Sequence, residues 1–186
     1  MFNYMEVLYG FNNALKPNFR GYSTLPACSF NLGPRTVTNN HLDNLNMAHG
    51  LCCITALGDF KYRKDALFIL FVLKKAVRFR PGCTIIIPSS VIKHGNTAMN
   101  HRGIRLSFTQ YFPGNIIHFV DYGCATGTDL LRIGGEHSLR RQAVDEKEAE
   151  RLQDGIGRFS KFVELEKDRR DMFQTPNEVQ RPISLT

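Results

Sequence analysis

Short apolar segments, each bounded by Gly, Pro or charged residues, recur along the first two thirds of the chain. The clearest two cover residues 84–87, a β-branched run that ends at Pro88, and residues 104–112. Others cover residues 23–33, 36–43, 51–60, 66–73 and 76–79. Segments of this length separated by turn residues are typical of strands, and we expect 51–60 and 66–73 to form a hairpin. The pattern predicts a mainly β fold, a sandwich or jelly roll, rather than alternating strands and helices.

The composition changes near residue 136. The chain has 186 residues, which suits one domain with a substantial core. Residues 138–173 are rich in charge and carry a weak helical spacing of apolar side chains. We therefore predict a β core over residues 1–135, a helical extension over 136–174 and an irregular tail over 175–186. The oligomeric state stays open.

Charge is distributed unevenly along the chain. Lys and Arg number 24 in total against 17 Asp and Glu, and residues 1–128 hold 13 basic side chains against five acidic ones. A domain with this excess of cations favours a polyanionic partner such as nucleic acid. A solvated charged edge explains the basic residues between 61 and 80 equally well.

The cysteines and the apolar runs bear on the cellular location of the protein. The five cysteines form an odd set without a CxxC pair, and the first ten residues lack a basic and then apolar secretory pattern. Both features favour a reducing, intracellular location. The longest apolar run, residues 66–73, is far shorter than the ~20 residues that a membrane-spanning helix needs. We expect no membrane span.

Three side chains have the chemistry of a metal site. His41 and Asp43 stand two residues apart at the end of a predicted strand, where alternation directs both to one face. His94 follows a later predicted strand. Two imidazoles and one carboxylate on one side of a metal leave its opposite positions open, which is how non-haem Fe(II) oxygenases bind a chelating cosubstrate and dioxygen. His41, Asp43 and His94 are the predicted metal ligands and catalytic residues.

A cation for the cosubstrate comes from the last predicted strand. The commonest cosubstrate in such chemistry is 2-oxoglutarate, whose far carboxylate requires a fixed positive charge. Arg105 has a planar guanidinium that grips a carboxylate at two points, and Ser107 faces the same way and offers a hydroxyl. Thr109 and Tyr111 continue this polar face. We predict that Arg105 and Ser107 bind 2-oxoglutarate.

These residues lie in motifs that resemble a known family. The motifs are HLD at 41–43, then RPGCTIIIPSSVIKHGN at 80–96, then RLSFTQYF at 105–112. They resemble the double-stranded β-helix core of Fe(II)/2-oxoglutarate-dependent dioxygenases, and most of all fungal members of the ten-eleven-translocation and base-J-binding-protein type. The resemblance covers about residues 10–125. It implies Fe(II) at His41, Asp43 and His94, 2-oxoglutarate at Arg105, and hydroxylation of methyl groups on DNA bases, with 5-methylcytosine or 6-methyladenine as substrates.

Other functions stay open at this point. A dioxygenase that acts on a protein side chain or a small molecule would share the triad and the arginine, and a truncated, non-catalytic jelly-roll module would bind no iron. A DNA substrate implies a nuclear location. Asn31 and Asn96 are candidates for lining the pocket or for capping turns, and Phe108 and Phe112 are expected in the core.

Overall fold

Strands make up the regular structure in the middle of the chain, and helices flank them. The computed structural model describes residues 2–15, 19, 22–100, 102–157 and 159–174. Helix α1 covers Phe2–Phe11. The strands are β1 Ala27–Asn31, β2 Cys52–Asp59, β3 Phe68–Leu70, β4 Lys75–Val77, β5 Thr84–Ile87, β6 His94–Asn96 and β7 Ile104–Tyr111. Helices α2 Gly114–Asp121, α3 Gly127–Ile133, α4 Glu136–Glu146, α5 Glu148–Gly157 and α6 Leu165–Gln174 follow.

The strands form two antiparallel sheets. The first has the order β1-β7-β2-β5 and the second the order β4-β3-β6. In the first sheet β2 and β7 pair along most of their length, from Cys53 opposite Gln110 to Asp59 opposite Ile104. Gly58 permits this pairing near its end, because a Cβ there would stand 2.2 Å from the Ile104 carbonyl oxygen and its φ is +102°. The prediction of a β-rich fold is confirmed at this level.

The predicted hairpin between residues 51–60 and 66–73 is wrong. Strand β2 pairs with β5 and β7, whereas β3 pairs with β4 and β6 in the other sheet. The apolar side chains explain this placement, because Ile54 and Ala56 of β2 bury against Phe68 of β3 in one core cluster. The two strands therefore face each other across the interior and share no hydrogen bonds in register.

The predicted strand over residues 36–43 is also absent as a continuous element. The segment 34–46 instead crosses from one sheet to the other and touches each through an isolated bridge. Arg35 pairs with Arg105 of β7, and His41 pairs with His94 of β6. The backbone of Asp43 then turns to donate to the Ser89 carbonyl at 3.1 Å.

The core has two parts. The larger cluster lies between the sheets and comprises Cys52, Ile54, Ala56, Phe60, Ala66, Phe68, Phe79, Ile87 and Met99. The smaller cluster, of Met5, Met47 and Phe112, is covered by side chains of α1 and α2. Phe112 is thus core as predicted, whereas Phe108 lies half-buried on the outer face of β7 and stacks on Phe30 at 4.8 Å between ring centroids.

The helices that follow the strands begin at Gly114, before the predicted boundary at residue 136. The predicted apolar spacing does not form a buried stripe, since Phe162 and Val163 lie between α5 and α6 and are 92% and 87% exposed. The division into a core over 1–135 and an extension over 136–174 stays a prediction, and the predicted tail at 175–186 lies outside the described residues. None of the helices described here has the length and apolar character that crossing a membrane requires.

Candidate metal and anion site

A cavity of about 580 Å³ lies between the two sheets. Strands β1, β2 and β7 contribute one wall, and β3, β6 and the segment 38–46 contribute the other. The lining residues are Ser29, Asn31, Thr38, His41, Leu42, Asp43, Asn44, Leu45, Asn46, Ile54, Phe68, His94, Gly95, Asn96, Arg105, Ser107, Thr109 and Tyr111. All five predicted site residues are in this set. The size falls within the range of small-molecule sites.

The predicted triad comes together at one side of the cavity. Asp43 Oδ1 lies 3.3 Å from His41 Nε2, and Asp43 Oδ2 lies 3.9 Å from His94 Nε2. The ligating atoms of the three residues all lie within 4.8 Å of one another. Neighbouring ligands ~2.1 Å from one metal ion stand about 3 Å apart, so small side-chain adjustments suffice to place a divalent ion among them. His94 is buried, while His41 and Asp43 are half-buried and give access from solvent.

Both imidazoles are oriented for metal binding. Nδ1 of His41 lies 2.8 Å from the Asn39 carbonyl oxygen, and Nδ1 of His94 lies 2.8 Å from the Ile92 carbonyl oxygen. A carbonyl only accepts, so each Nδ1 carries the proton and each Nε2 presents its lone pair. Burial lowers the pKa of His94, which favours the neutral ring that ligates metals. The donor set and its tautomers fit a divalent transition metal.

The backbone fixes the two histidines to each other. His41 N donates to His94 O at 3.1 Å, and His94 N donates to His41 O at 3.0 Å. The next residue in β6 is Gly95, where a Cβ would stand 2.7 Å from Thr38 O and 2.9 Å from Asn39 O. Only glycine allows the crossing segment to approach β6 this closely. The single bridge between the histidines therefore replaces the continuous strand that we expected.

Asn46 and Ser89 restrain Asp43, the predicted carboxylate ligand. Asn46 Nδ2 donates to Asp43 Oδ2 at 3.3 Å and to Ser89 Oγ at 3.1 Å. An amide that occupies one carboxylate oxygen restrains the rotation of the carboxylate and leaves the other oxygen available to a metal. Sequence reasoning did not select either residue. The one available signal was the position of Asn46 one helical turn after Asp43, which is too common to single out.

Arg105 is a buried cation in the cavity wall. Its residue is 2% exposed, and its guanidinium donates to the Thr36 carbonyl oxygen at 3.1 Å through Nη1. Nε is buried without a hydrogen-bond partner, and none of the ion pairs found among the described residues includes Arg105. Burial lowers the pKa of this guanidinium, because desolvation disfavours its charged form. A charge held this way is expected to bind an anion that enters the cavity.

A polar wall continues from Arg105 along β7. Ser107 is buried and its Oγ accepts a hydrogen bond from Asn31 Nδ2 at 3.0 Å. Thr109 and Tyr111 also line the cavity, as the alternation of β7 predicted. Tyr111 Oη lies 3.2 Å from Ser29 Oγ of β1. One wall of the cavity therefore presents hydroxyl and amide groups on the same face of β7 as the Arg105 guanidinium and on the neighbouring strand β1.

Asn96 has a structural role as well as a place in the wall. Its side chain accepts from Thr38 N at 2.9 Å and donates to Thr36 O at 3.2 Å. It thus fixes the crossing segment at the level of Arg105. Sequence reasoning left Asn96 between pocket lining and turn capping, and the structure places it in strand β6 at the cavity.

The remaining histidines and cysteines lie outside this group. His49 and His118 are half-buried, His137 is exposed, and His101 lies outside the described residues. All five cysteines are free of disulfides. Burial raises the pKa of the Cys52 thiol to about 12, which favours its protonated form.

Comparisons with known proteins give matches to solved structures. No family model matches the sequence, and no curated protein matches it. Similar solved structures include one described as NgTET1 in complex with 5mC DNA, which is 17% identical, with a TM-score of 0.44. The match covers 57% of this chain and 42% of that one. The aligned region therefore covers less than half of the length of that chain.

Proposed function

We propose that the chain is an Fe(II)/2-oxoglutarate-dependent dioxygenase that hydroxylates methyl groups of DNA bases. The observation that carries this proposal is the shared cavity of a His-Asp-His group and a buried, unpaired arginine. A metal site alone suits many functions, and a buried arginine alone suits many anions. Their combination suits an anionic cosubstrate that chelates the metal at one end and pairs with Arg105 at the other.

Each residue has a defined task in this proposal. His41, Asp43 and His94 hold Fe(II) through two imidazole nitrogens and one carboxylate oxygen. Arg105 pairs with the distal carboxylate of 2-oxoglutarate, and Ser107 donates its hydroxyl to the same group once the amide of Asn31 occupies its lone pair. Bound iron and 2-oxoglutarate, together with dioxygen, would hydroxylate a methyl group; one oxygen atom of dioxygen would enter the alcohol and the other would enter succinate, with release of carbon dioxide.

The proposal includes the closure of the two sheets into a double-stranded β-helix. The crossing segment supports this, because it connects β7 of one sheet to β6 of the other through the bridges at Arg35 and His41. Such a closed arrangement would position the metal ligands at the edge of one sheet and the arginine deep on the other.

The charge of the chain supports DNA as the substrate class. Residues 66–120 contain seven Lys and Arg and no Asp or Glu. Cations that approach phosphates account for affinity without base specificity. A methylated base in a duplex has to leave the stack to enter a cavity of this kind.

Succinate release tests the proposal directly. The protein is reconstituted anaerobically with Fe(II) and then given 2-oxoglutarate, oxygen and oligonucleotides that carry 5-methylcytosine or 6-methyladenine. We expect succinate and a hydroxymethylated base from the wild type, and loss of both in Arg105→Ala. Arg132→Ala is the matched control, because Arg132 is an exposed arginine in α3, outside the stretch 66–120.

Two results would count against the proposal in different ways. Equal turnover by wild type and His41→Ala would reject the metal site. Turnover of 2-oxoglutarate that never depends on methylated DNA, together with DNA affinity that does not fall with salt, would reject the nucleic-acid substrate and favour a protein or small molecule.

A further inference from the structure

The turn between β3 and β4 exposes three consecutive large apolar side chains. We call Phe71–Leu73 the apex. Phe71, Val72 and Leu73 are 39%, 66% and 53% exposed. Isolated exposed apolar residues are ordinary on protein surfaces, but a contiguous run at the end of a hairpin is unfavourable in water unless it has a binding function.

The hairpin holds the apex in a defined position. Leu70 pairs with Lys75 across the hairpin, and Lys74 N donates to Phe71 O at 3.1 Å. Lys74 closes the turn with a φ of +49°, in the left-handed region that residues with a side chain rarely adopt. The base of the apex is also fixed to the neighbouring segment, because Phe71 N donates to Lys93 O at 2.9 Å. The apex is therefore a built feature of the second sheet.

The apex begins next to the candidate metal site. Leu70, the last residue of β3, lies opposite His94 in the antiparallel register of β3 and β6. Phe71 follows Leu70 directly, and Lys93 precedes His94. A ligand that inserts a group beside His94 thus meets the apex at the same end of the sheet.

Cations surround the apex. Lys74, Lys75 and Lys93 are exposed, and all three lie within the stretch 66–120, which contains no acidic residue. An apolar tip flanked by lysines fits a partner with a stack of apolar rings and a row of negative charges. A nucleic-acid duplex has both.

We propose that the apex is a wedge that enters a DNA duplex where a base has been rotated into the cavity, an inference that rests on the proposed function. Val72 and Leu73 would occupy the gap in the base stack, and Phe71 would cover the neighbouring base. Lys74, Lys75 and Lys93 would contact the flanking phosphates. Apolar side chains inserted at base steps stabilise the distorted duplex in this way. An anionic membrane also attracts an apolar tip with lysines, but it has no group to place in the adjacent cavity.

The test compares duplex and single-stranded DNA of the same sequence. A single strand has no duplex to open and therefore needs no wedge. The ratio of kcat/KM on duplex DNA to kcat/KM on single-stranded DNA thus measures the contribution of the apex to opening the duplex. We expect this ratio to fall by about tenfold or more in Val72→Ser and further in Phe71→Ser/Val72→Ser. Val163→Ser is the control, because Val163 is a valine between α5 and α6 that is 87% exposed. It is expected to keep the wild-type ratio.

A binding readout separates the apex from catalysis. A duplex with 2-aminopurine beside 5-methylcytosine reports unstacking through its fluorescence. We expect wild type and Val163→Ser to raise this fluorescence and Val72→Ser to leave it low. If the wild type gives this fluorescence increase but never releases succinate, the proposed reaction is wrong while the proposed wedge is supported.

Three results would overturn the wedge. The first is an unchanged duplex-to-single-strand ratio in both apex variants. The second is an equal fall on both substrates in apex variants that melt at the wild-type temperature, which would assign the apex to general binding. The third is loss of binding to phosphatidylserine vesicles in Val72→Ser with no change on duplex DNA, which would assign the apex to a membrane surface.

Discussion

Replacing Arg105 with methionine should separate function from stability. In the native protein Arg105 is 2% exposed, and its guanidinium donates a hydrogen bond to Thr36 O. Methionine is unbranched and uncharged, with a side chain two heavy atoms shorter than that of arginine, so the substitution removes the desolvation cost of a buried cation. Replacing buried charges with apolar groups of similar size is often neutral or stabilising by ~1–4 kcal/mol.

The hydrogen bond that is lost offsets part of this gain. A hydrogen bond to a charged group contributes about 1.5–3 kcal/mol. Thr36 O keeps a partner in the variant, because Asn96 Nδ2 also donates to it at 3.2 Å. No buried acceptor is orphaned. The expected net change in the free energy of unfolding therefore lies within about 2 kcal/mol of zero, which corresponds to a Tm shift of at most about 4–8 °C in a chain of this size.

Cosubstrate binding should respond much more strongly. Loss of two charged hydrogen bonds to a carboxylate weakens binding by at least ~3 kcal/mol, or about a hundredfold in Kd. Saturating 2-oxoglutarate at about 100 times its Kd stabilises a protein by ~2.7 kcal/mol, so the wild type should melt several degrees higher with Mn(II) and 2-oxoglutarate than with Mn(II) alone. Arg105→Met should lose this shift.

Differential scanning fluorimetry and titration calorimetry measure both quantities on the same samples. A variant that melts close to the wild type but no longer responds to 2-oxoglutarate supports the argument. If Arg105→Met is destabilised by more than about 4 kcal/mol, the guanidinium has a structural partner and the reasoning is refuted.

Three further predictions follow from the packing around the site. Gly95→Ala should lower metal affinity more than tenfold by displacing Thr38 and Asn39, whereas Gly33→Ala, where the nearest atom is 3.8 Å from the new Cβ, should not; metal titration compares them. Asn46→Ala should lower metal affinity 10–100-fold by freeing the Asp43 carboxylate, and unchanged affinity would remove Asn46 from the site. Cys52 should resist iodoacetamide at pH 9 in the native protein and react once unfolded, as mass spectrometry would detect, because its pKa of about 12 keeps the thiol protonated. Between pH 9 and 12 the unfolded state loses this proton first, so Cys52 lowers stability as the pH rises; rapid native labelling at pH 9 would contradict this.

Strand positions were more predictable from the sequence than strand partners. The β-branched run at 84–87 and the alternation at 104–111 are local signals, and both segments are strands. The pairing of β2 with β5 and β7 depends on which apolar faces meet across the interior, and that is a property of the whole chain. The turn at 61–65 has the composition of a hairpin loop but carries the chain to the other sheet. Helix α1 was not predicted, since four of its ten residues are aromatic and aromatic residues are weak helix formers.

The site shows a similar division. His41, Asp43, His94 and Arg105 have rare chemistry in motifs of fixed spacing, so sequence reasoning selected them. Asn46 and Ser89, which support the Asp43 carboxylate, lie in loops 43 residues apart. A contact between such distant residues has no local sequence pattern that predicts it. Alternation along a strand predicts that His41 and Asp43 lie on one face. The structure reaches that arrangement through one backbone bridge to His94 and the packing of Gly95.

Metal stoichiometry tests the central claim most directly. Anaerobic equilibrium dialysis against Fe(II), followed by metal analysis, measures the ions bound per chain. We predict one ion per chain in the wild type, and loss of this ion in both His94→Ala and Asp43→Ala. A wild-type chain that binds no iron, or variants that bind as much as the wild type, would contradict the assignment of His41, Asp43 and His94 as a metal centre.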